Sequence, residues 1–585
     1  MRIMKVSIDN FRNLDKFKMN FNPNINFLIG ENNLGKSNFL DMLDIIFNFR
    51  RFSEEDFFEK DKPIQIDFSL LLDEIEKGAF DDYFDPENDK EINIIGRQEG
   101  PDEDLRYYHK ENKEEIPYSK LRYVNFLKYD SLRTPKEELS FYRRRGVGKF
   151  LSYLVSRFVT DNATEDDFIK KDSINPIVED INKIFKKLRL IEDFVITASI
   201  EKELTDLVFR MLTLKDAKGI EIQRAGHGVQ FSVLIILYIL ERLMQIIEDR
   251  KRQECIFKDN NRKTISLIFG MDEPEIHLHP YMQRSLMNFI NNLLQNKEKH
   301  FSSLVKELFD IDGFDGQAII VSHSPNILLS DYKHIVRFHK EDLKVKATSG
   351  SELQLAPEIE KHLFKNFPYI KESFFSRCVI IIEGDTEYGA LPIWAEKIIG
   401  NLDELGITII NGGGKGSIPA ISKLLNDFKI PNTSIVDKDI YEDYLKSKYD
   451  IISNLFITDK RDFEEELVEN VFTAGQSKVL FELVKEYDTM GLERSIQKTK
   501  LRETANQYGI SITWDDKDYK FSKIEAIDNR EDFIKTMFLS WLGINKSIIL
   551  GRFIGEKIHQ DLIPKQYGNL IKKAKKLSEG YESNN

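Results

Sequence analysis

The sequence predicts an α/β protein built as two successive units, and three observations carry that reading. Near the N-terminus an apolar strand, Ile25–Ile29, runs into a glycine-bearing loop and then into a helix-patterned stretch. Two further buried-type strands, Ile265–Met271 and Ala318–Ser322, are followed by acidic and histidine residues. From about residue 370 short apolar strands alternate with helical stretches, the arrangement of a parallel sheet. At 585 residues the chain has room for two large units, or for about three to five of ordinary size.

Bulk composition narrows the class. Charged residues make up 31% of the chain and mean hydropathy is −0.40. The most apolar stretch, Phe231–Leu240, is half the ~20 residues a membrane span requires and reads as a buried helix. The N-terminal residues alternate like a strand and carry no signal-peptide apolar core, so neither export nor a membrane is expected. Cys255 and Cys378 are the only cysteines. That excludes a disulfide framework and a cysteine zinc site, and fits a reducing cytoplasm. Net charge is −13 and the pI is near 5.5, which argues against broad attraction to nucleic acid. Local contact stays open. Arg143-Arg144-Arg145 and the cluster Lys572, Lys573, Lys575 and Lys576 read either as solvated faces or as such contacts.

The first unit carries a phosphate loop. Gly30-Glu-Asn-Asn33-Leu-Gly35-Lys36-Ser37 fits the pattern G-x-x-x-x-G-K-[ST] between a strand and a helix. Backbone N–H groups and the helix N-terminus face the phosphates there. Lys36 would reach the β- and γ-phosphates and Ser37 would hold Mg²⁺. After the strand Ile265–Met271, Asp272 would orient the Mg²⁺ shell, and Glu273 would polarise the attacking water as general base. His323, beyond the next strand, is placed to contact a γ-phosphate. Gly226-His-Gly228 opens the apolar helix and makes a second anion-binding end. Between about 150 and 222, Ile174, Ile177, Val178, Ile181, Ile184, Phe185 and Leu188 recur at helical spacing. They predict a compact helical insertion, either a dimerisation element or an ordinary helical subdomain.

The second unit carries carboxylates. Its expected strands are Cys378–Ile382, Ile407–Ile410, Thr433–Val436 and Asn454–Thr458, with helices over 389–399 and 418–428 and a glycine loop, Asn411-Gly-Gly-Gly-Lys415-Gly416, between them. Acids at the C-terminal tips of parallel strands converge in one crevice. Glu383, Asp385 and Glu387 follow one strand; Asp437 and Asp439 follow another. Hard oxygen donors suit Mg²⁺ or Mn²⁺ better than zinc. Two such ions can activate a water and stabilise a leaving oxygen.

Taken together, Asn10-Phe-Arg12, the phosphate loop, Gly226-His-Gly-Val-Gln230, Asp272-Glu-Pro-Glu-x-x-Leu-His-Pro280 and His323 resemble the ABC-type ATPases of chromosome maintenance and DNA repair. The resemblance implies a nucleotide site that includes Arg12, Asn33, Gly35, Lys36, Ser37, Asp272, Glu273 and His323. It also implies completion by the signature loop, Gly226 and Gly228, of a second subunit, hence an ATP-linked homodimer or higher homo-oligomer. Gln65 is left outside the site. Glu-Gly-x-Thr-Glu followed by Asp-x-Asp resembles the Toprim (topoisomerase–primase) fold. An ABC ATPase followed by Toprim resembles the OLD (overcoming-lysogenization-defect) nucleases, with length and compactness similar to the nuclease subunit of the Gabija anti-phage system.

That resemblance implies an ABC-type ATPase domain over 1–365, a Toprim nuclease domain with a helical C-terminal part over 366–585, and two-metal chemistry with Mg²⁺ or Mn²⁺ alongside Mg²⁺-ATP. Glu383, Asp385, Glu387, Asp437 and Asp439 become metal ligands or general base. A further acid comes from Asp462-Phe-Glu464-Glu465-Glu466, either Glu464 or Glu465, with Glu465 taken as the metal ligand, and Lys546 is the late lysine. The expected function is ATP-regulated cutting or nicking of double-stranded DNA in anti-phage defence, with a helicase or other defence protein as a possible partner. The alternative is a DNA-clamping or sensing ATPase that controls a partner effector without cutting.

Overall fold

The computed structural model describes the chain apart from residues 49, 81–82, 84–87, 89, 131–132, 140, 142–145, 159–170, 188–195, 201–211, 217, 250–254, 260–261, 330, 415, 443–451, 513–518, 525–529 and 584–585. The cluster Arg143-Arg144-Arg145, with Leu188 and Lys415, therefore lies outside the described residues. The chain divides into two compact units, Met1–Leu353 and Gln354–Asn585. Residue 365, the expected end of the ATPase, lies inside the helix Pro357–Ile370 of the second unit.

The first unit holds two large sheets. One is antiparallel, with β1 (Arg2–Asp9), β2 (Phe17–Asn20), β4 (Ile64–Leu71), β5 (Glu91–Gln98) and β6 (Arg106–His109) in the order β2-β1-β4-β5-β6. The other contains β3 (Ile25–Ile29), β7 (Asn125–Tyr129), β10 (Ile256–Asp259), β11 (Arg262–Asp272), β12 (Gly313–Val321), β13 (Ile335–Glu341) and β14 (Lys344–Ser349). Its order is β10-β11-β12-β3-β13-β14, with β7 also on β11. The central strands β7, β11, β12, β3 and β13 run parallel. Leu28 pairs with Val321, and Val321 with Asp272. One row of the sheet thus brings the residues before the phosphate loop, before His323 and before Glu273 to the same edge.

The helix Lys36–Phe47 is fastened to this sheet by Phe39, whose ring packs 6.2 Å from Phe17, 5.9 Å from Phe21 and 6.4 Å from Phe338. The helix from Phe231 is longer than its apolar run: it spans His227–Glu248, 22 residues, because Glu241 and Arg242 continue it. By length and composition it could cross a membrane, but 83% of its apolar window is buried inside the unit, which accounts for its apolarity. The insertion is not wholly helical. A helix, Lys171–Phe185, buries Ile177, Ile181, Ile184 and Phe185 as its spacing predicts, and lies on a hairpin of β8 (Ile196–Ile200) and β9 (Leu212–Asp216). Asn182 bonds both the N–H and the C=O of Ala198, so its amide continues the strand's pairing into the helix.

The second unit is built on four parallel strands, β15 (Cys378–Ile382), β16 (Ile407–Asn411), β17 (Asn432–Val436) and β18 (Leu455–Ile457), ordered β16-β15-β17-β18. The near-continuous burial of β15 and β17 is that of strands covered on both faces. Helices Asp385–Ile399 and Ser417–Asp427 follow the first two strands, and Phe463–Thr473 follows β18. A helical C-terminal part ends in Glu531–Ile544, Ile548–Lys557 and Lys565–Ser583.

Candidate functional sites

At the edge of the first unit's parallel sheet, the phosphate loop is shaped by glycine. Gly35 has φ +84°, and a Cβ there would lie 2.6 Å from Asn13 Oδ1, so a side chain is excluded on both counts. Lys36 turns into the loop and donates from Nζ to the carbonyls of Gly30 (2.9 Å) and Glu31 (2.6 Å). Burial pushes its ammonium down to about 8, against the pull of Glu273, Asp272 and Glu31. Ser37 Oγ donates to Asp272 Oδ1 at 3.1 Å, joining the loop to the tip of β11. Asp272 is held above the usual carboxylate range by burial, with Glu273 and Asp130 adding to it and Ser37 and Lys128 opposing.

Glu273 sits at φ +45° and faces His323, with Oε1 3.4 Å from Nε2. Burial, with Lys36 nearby, keeps the imidazole below its usual value and so neutral. Glu275 was not among the expected residues. Its Oε1 accepts from Ser322 Oγ (2.6 Å) and from the His323 N–H (2.9 Å), which fixes the backbone under His323. Arg12 is tied to Asp56 (2.8 Å), Asp41 (2.8 Å) and Asn38 (2.7 Å), so it braces the loop helix. Asn33, also at positive φ, accepts at its carbonyl from Asn13 Nδ2 (3.1 Å).

Gly226 and His227 are exposed at the start of their helix, while Gly228 is pressed against the carbonyl of His277. Gln65 lies within β4, bonded to Asp67 and Arg97. What stands beside Asp272 instead is the tip of β7, where Lys128 bridges Asp41 (2.7 Å) and Asp130 (2.6 Å). No sequence pattern marked that tip, because only pairing with β11 brings it there.

The second unit gathers its acids at the tips of β15 and β17. Asp385 begins the helix Asp385–Ile399, and its Oδ1 accepts from Asn411 Nδ2 at 2.8 Å. Glu387 turns inward. It accepts from the N–H groups of Glu383 (3.1 Å) and Gly384 (2.9 Å) and from the Tyr567 hydroxyl (2.5 Å), closing the loop that carries Glu383. Loss of hydration raises its carboxyl despite those donors. Asp437 accepts from the Phe463 N–H at 3.0 Å. Burial pushes its carboxyl well up, and Glu387, Glu383, Asp462 and Glu464 push it further, which places all five acids in one electrostatic cluster. Asp439 pairs with Arg461 at 3.3 Å.

Glu464 and Glu465, the two candidates for the further acid, have different surroundings, and those of Glu465 are local. Its Oε2 accepts from the Arg461 N–H (2.8 Å), and its own N–H donates to Asp462 Oδ1 (2.9 Å), so it closes the N-terminus of the helix Phe463–Thr473. Glu464, buried, is the acid that joins the cluster, where it accepts from Lys546 Nζ at 2.9 Å. Burial alone would lower Lys546; Glu464, Asp462 and Asp437 outweigh it and keep the ammonium charged. Tyr508 donates to Asp462 Oδ2 at 2.7 Å and steadies the same corner. Helical phase separates Glu464 from Glu465, but the sequence did not reveal which phase faced the strands.

Carboxylates outnumber the cations paired with them here, the condition a divalent ion relieves, and every candidate donor is a hard oxygen. The residues thus fit a divalent cation. Among the described residues, the acidic group whose ligand atoms all lie within 4.8 Å of one another is elsewhere: Asp73, Glu76 and Asp315, which the Met1 ammonium and the Arg2 guanidinium engage. The lysine cluster lies on the helix Lys565–Ser583. Tyr567 reaches Glu387 at the acidic end of the sheet, whereas Lys573 acts on Cys378 at the opposite end of β15, so the cluster points away from the carboxylates.

Fold and site together define an ATPase of the ABC type joined to a Toprim domain. A family model described as "AAA ATPase domain" matches residues 1–141 and 108–328, together more than half of the chain, and the protein belongs to that family. A second model, "Overcoming lysogenization defect protein-like, TOPRIM domain", matches residues 374–439, the stretch of the second unit from before β15 to just past β17. No curated protein matches the chain. Among solved structures, the SMC head domain from Thermotoga maritima is 12% identical, with 61% of this chain and 100% of that one covered and a TM-score of 0.30. The C-terminal region of the Xanthomonas campestris pv. campestris OLD protein is 18% identical over 36% of this chain and 98% of that one, with a TM-score of 0.25. For the Burkholderia pseudomallei OLD protein's C-terminal region the values are 17%, 35%, 99% and 0.22.

Proposed function

We propose that the protein is an ATP-regulated, metal-dependent DNA endonuclease. One observation supports this above the others: Glu383 and Glu387 beyond β15 and Asp437 beyond β17 are joined by Glu464, from the helix after β18, with Lys546 charged and bonded to it. Bound Mg²⁺ or Mn²⁺ would supply the activated water and the Lewis acid for phosphodiester hydrolysis. Glu383, Asp385, Asp437, Asp439 and Glu464 would hold the ions, and Glu387 would keep the Glu383 loop in shape through its two backbone bonds. Lys546 neutralises charge developing on the phosphate.

In the first unit Lys36 and Ser37 bind Mg²⁺-ATP with Asp272, and Glu273 orients water opposite the neutral His323. The exposed Gly226-His227 end serves the nucleotide of a second copy, which makes the working form at least a homodimer. A role in anti-phage defence is part of this proposal, and what supports it is the match of residues 374–439 to the OLD-like Toprim model.

Incubation with supercoiled plasmid and Mg²⁺ or Mn²⁺ tests the reading. Wild type should convert it to nicked or linear forms, and Glu383→Ala should leave it intact. Equal cutting by the two proteins, or none by wild type under any nucleotide condition, overturns the proposal.

A further inference from the structure

Beside the phosphate loop lies a cavity that the phosphate-binding residues do not use. Lys36, Ser37, Asp272, Glu273 and His323 gather where the terminal phosphate belongs. None of the five lines the cavity, which measures about 870 Å³. Asn33, in the same loop, does line it, together with Asn13, whose Nδ2 donates to the Asn33 carbonyl at 3.1 Å. The volume is that of a small-molecule pocket. Four lysines and four acidic residues line it, so its charges balance and it holds no excess of either sign for a phosphate or a metal ion. Beyond its phosphates a nucleotide is uncharged: a sugar, and a flat base with apolar faces.

Two exposed apolar side chains stand at this cavity, and each is held in place. Phe58 is 58% exposed. Its segment is fastened to the end of β1. Asn10 donates from Nδ2 to the carbonyls of Glu59 (2.9 Å) and Lys62 (2.7 Å) and accepts from the Glu59 N–H at 2.7 Å. The Asn10 carbonyl accepts from the Phe58 N–H at 3.1 Å. Leu343 is 76% exposed, at the tip of the hairpin β13–β14. The two-residue turn Asp342-Leu343 has φ +52° and +63°. Such a turn favours Asn-Gly, because both central residues need positive φ. A leucine is strained there, and its exposed side chain gives the fold almost no burial in exchange. Backbone strain of this kind is kept at ligand clamps.

Resting on the reading of the loop as a nucleotide site, we infer that Phe58 and Leu343 hold the base of the nucleotide whose phosphates the loop binds, Phe58 by stacking and Leu343 by apolar contact. The occupant of the cavity is the nucleoside part of that nucleotide, and Asn33 marks where it joins the phosphates.

The test is calorimetric binding to the full chain with Mg²⁺. Its two ligands are the slowly hydrolysed analogue ATPγS and inorganic tripolyphosphate, which has phosphates but no base. Leu343→Gly supplies the residue the turn prefers, so its unfolding midpoint should equal or exceed that of wild type. It should nevertheless weaken ATPγS by roughly fivefold or more through lost apolar contact. Phe58→Ser should weaken it roughly tenfold through lost stacking. Both variants should bind tripolyphosphate within about twofold of wild type, because that ligand reaches neither side chain. Unchanged ATPγS binding in either variant, or equal weakening of both ligands, overturns the clamp while leaving the loop a nucleotide site. So does a midpoint for Leu343→Gly several degrees below wild type, which would give the leucine a part in the fold. A change in sedimentation of the nucleotide-free variants also overturns it, by making the two side chains a contact between copies. Failure of wild type to bind ATPγS removes the nucleotide reading and the clamp with it.

Discussion

At the residue scale, the acids at the strand tips were legible because each follows an apolar run that ends abruptly in charge. Which acid of a consecutive pair faces inward was not. Glu464 and Glu465 differ only in helical phase, and that phase is set by where Asp462 caps the helix. Glu464→Gln should reduce plasmid cleavage about 100-fold, the order of a lost charge-stabilising group, while Glu465→Gln should stay within about threefold; the reverse order would return the role to Glu465. Ser37→Ala removes the hydroxyl bonded to Asp272, and ATP hydrolysis should fall by a similar factor with the fold unchanged by circular dichroism. Cysteine chemistry is a further check. Both thiols are buried, and burial pushes Cys378 up to about 12. Its thiolate fraction at pH 8 is roughly one in ten thousand and rises only as pH approaches 12. The native protein should therefore show no rapid reaction with a thiol reagent at pH 8, and two equivalents after unfolding. One fast equivalent in the native state would contradict the packing.

At the scale of elements, strands buried on both faces stand out as unbroken apolar runs, which is why β3, β11, β12, β15 and β17 were readable. The five-stranded antiparallel sheet was visible only at β1, since strands with one wet face alternate and resemble loops unless their partners are known. The hairpin β8–β9 was missed for the same reason, next to a helix whose apolar spacing dominated the segment. The contact between the helices Asp385–Ile399 and Ile548–Lys557 has no local signature either: Gly389 and Gly551 are 162 positions apart and acquire meaning only when the backbones meet. Gly551→Ala should lower the unfolding midpoint by several degrees, since overpacking a tight contact costs about 1–3 kcal/mol, and should depress cleavage by displacing the Glu383 loop. Gly568→Ala, with nothing within 4 Å of its Cβ, is the control and should do neither.

At the scale of the whole molecule, two sites with different chemistry share one chain. The phosphate loop, with Asp272 and His323, assembles on one parallel sheet. The carboxylates and Lys546 assemble on another. Each unit restarts the strand–helix pattern in the sequence, and the chain divides after Leu353; no spacing encodes the proposed coupling between the two sites. The central claim is that ATP bound in the first unit governs cutting by the second. The direct measurement is the plasmid cleavage rate across ATP concentrations for wild type, Lys36→Ala and Glu383→Ala. The account predicts a wild-type rate that changes with ATP, a Lys36→Ala rate that does not, and no cutting by Glu383→Ala. Indistinguishable ATP profiles for wild type and Lys36→Ala would contradict it.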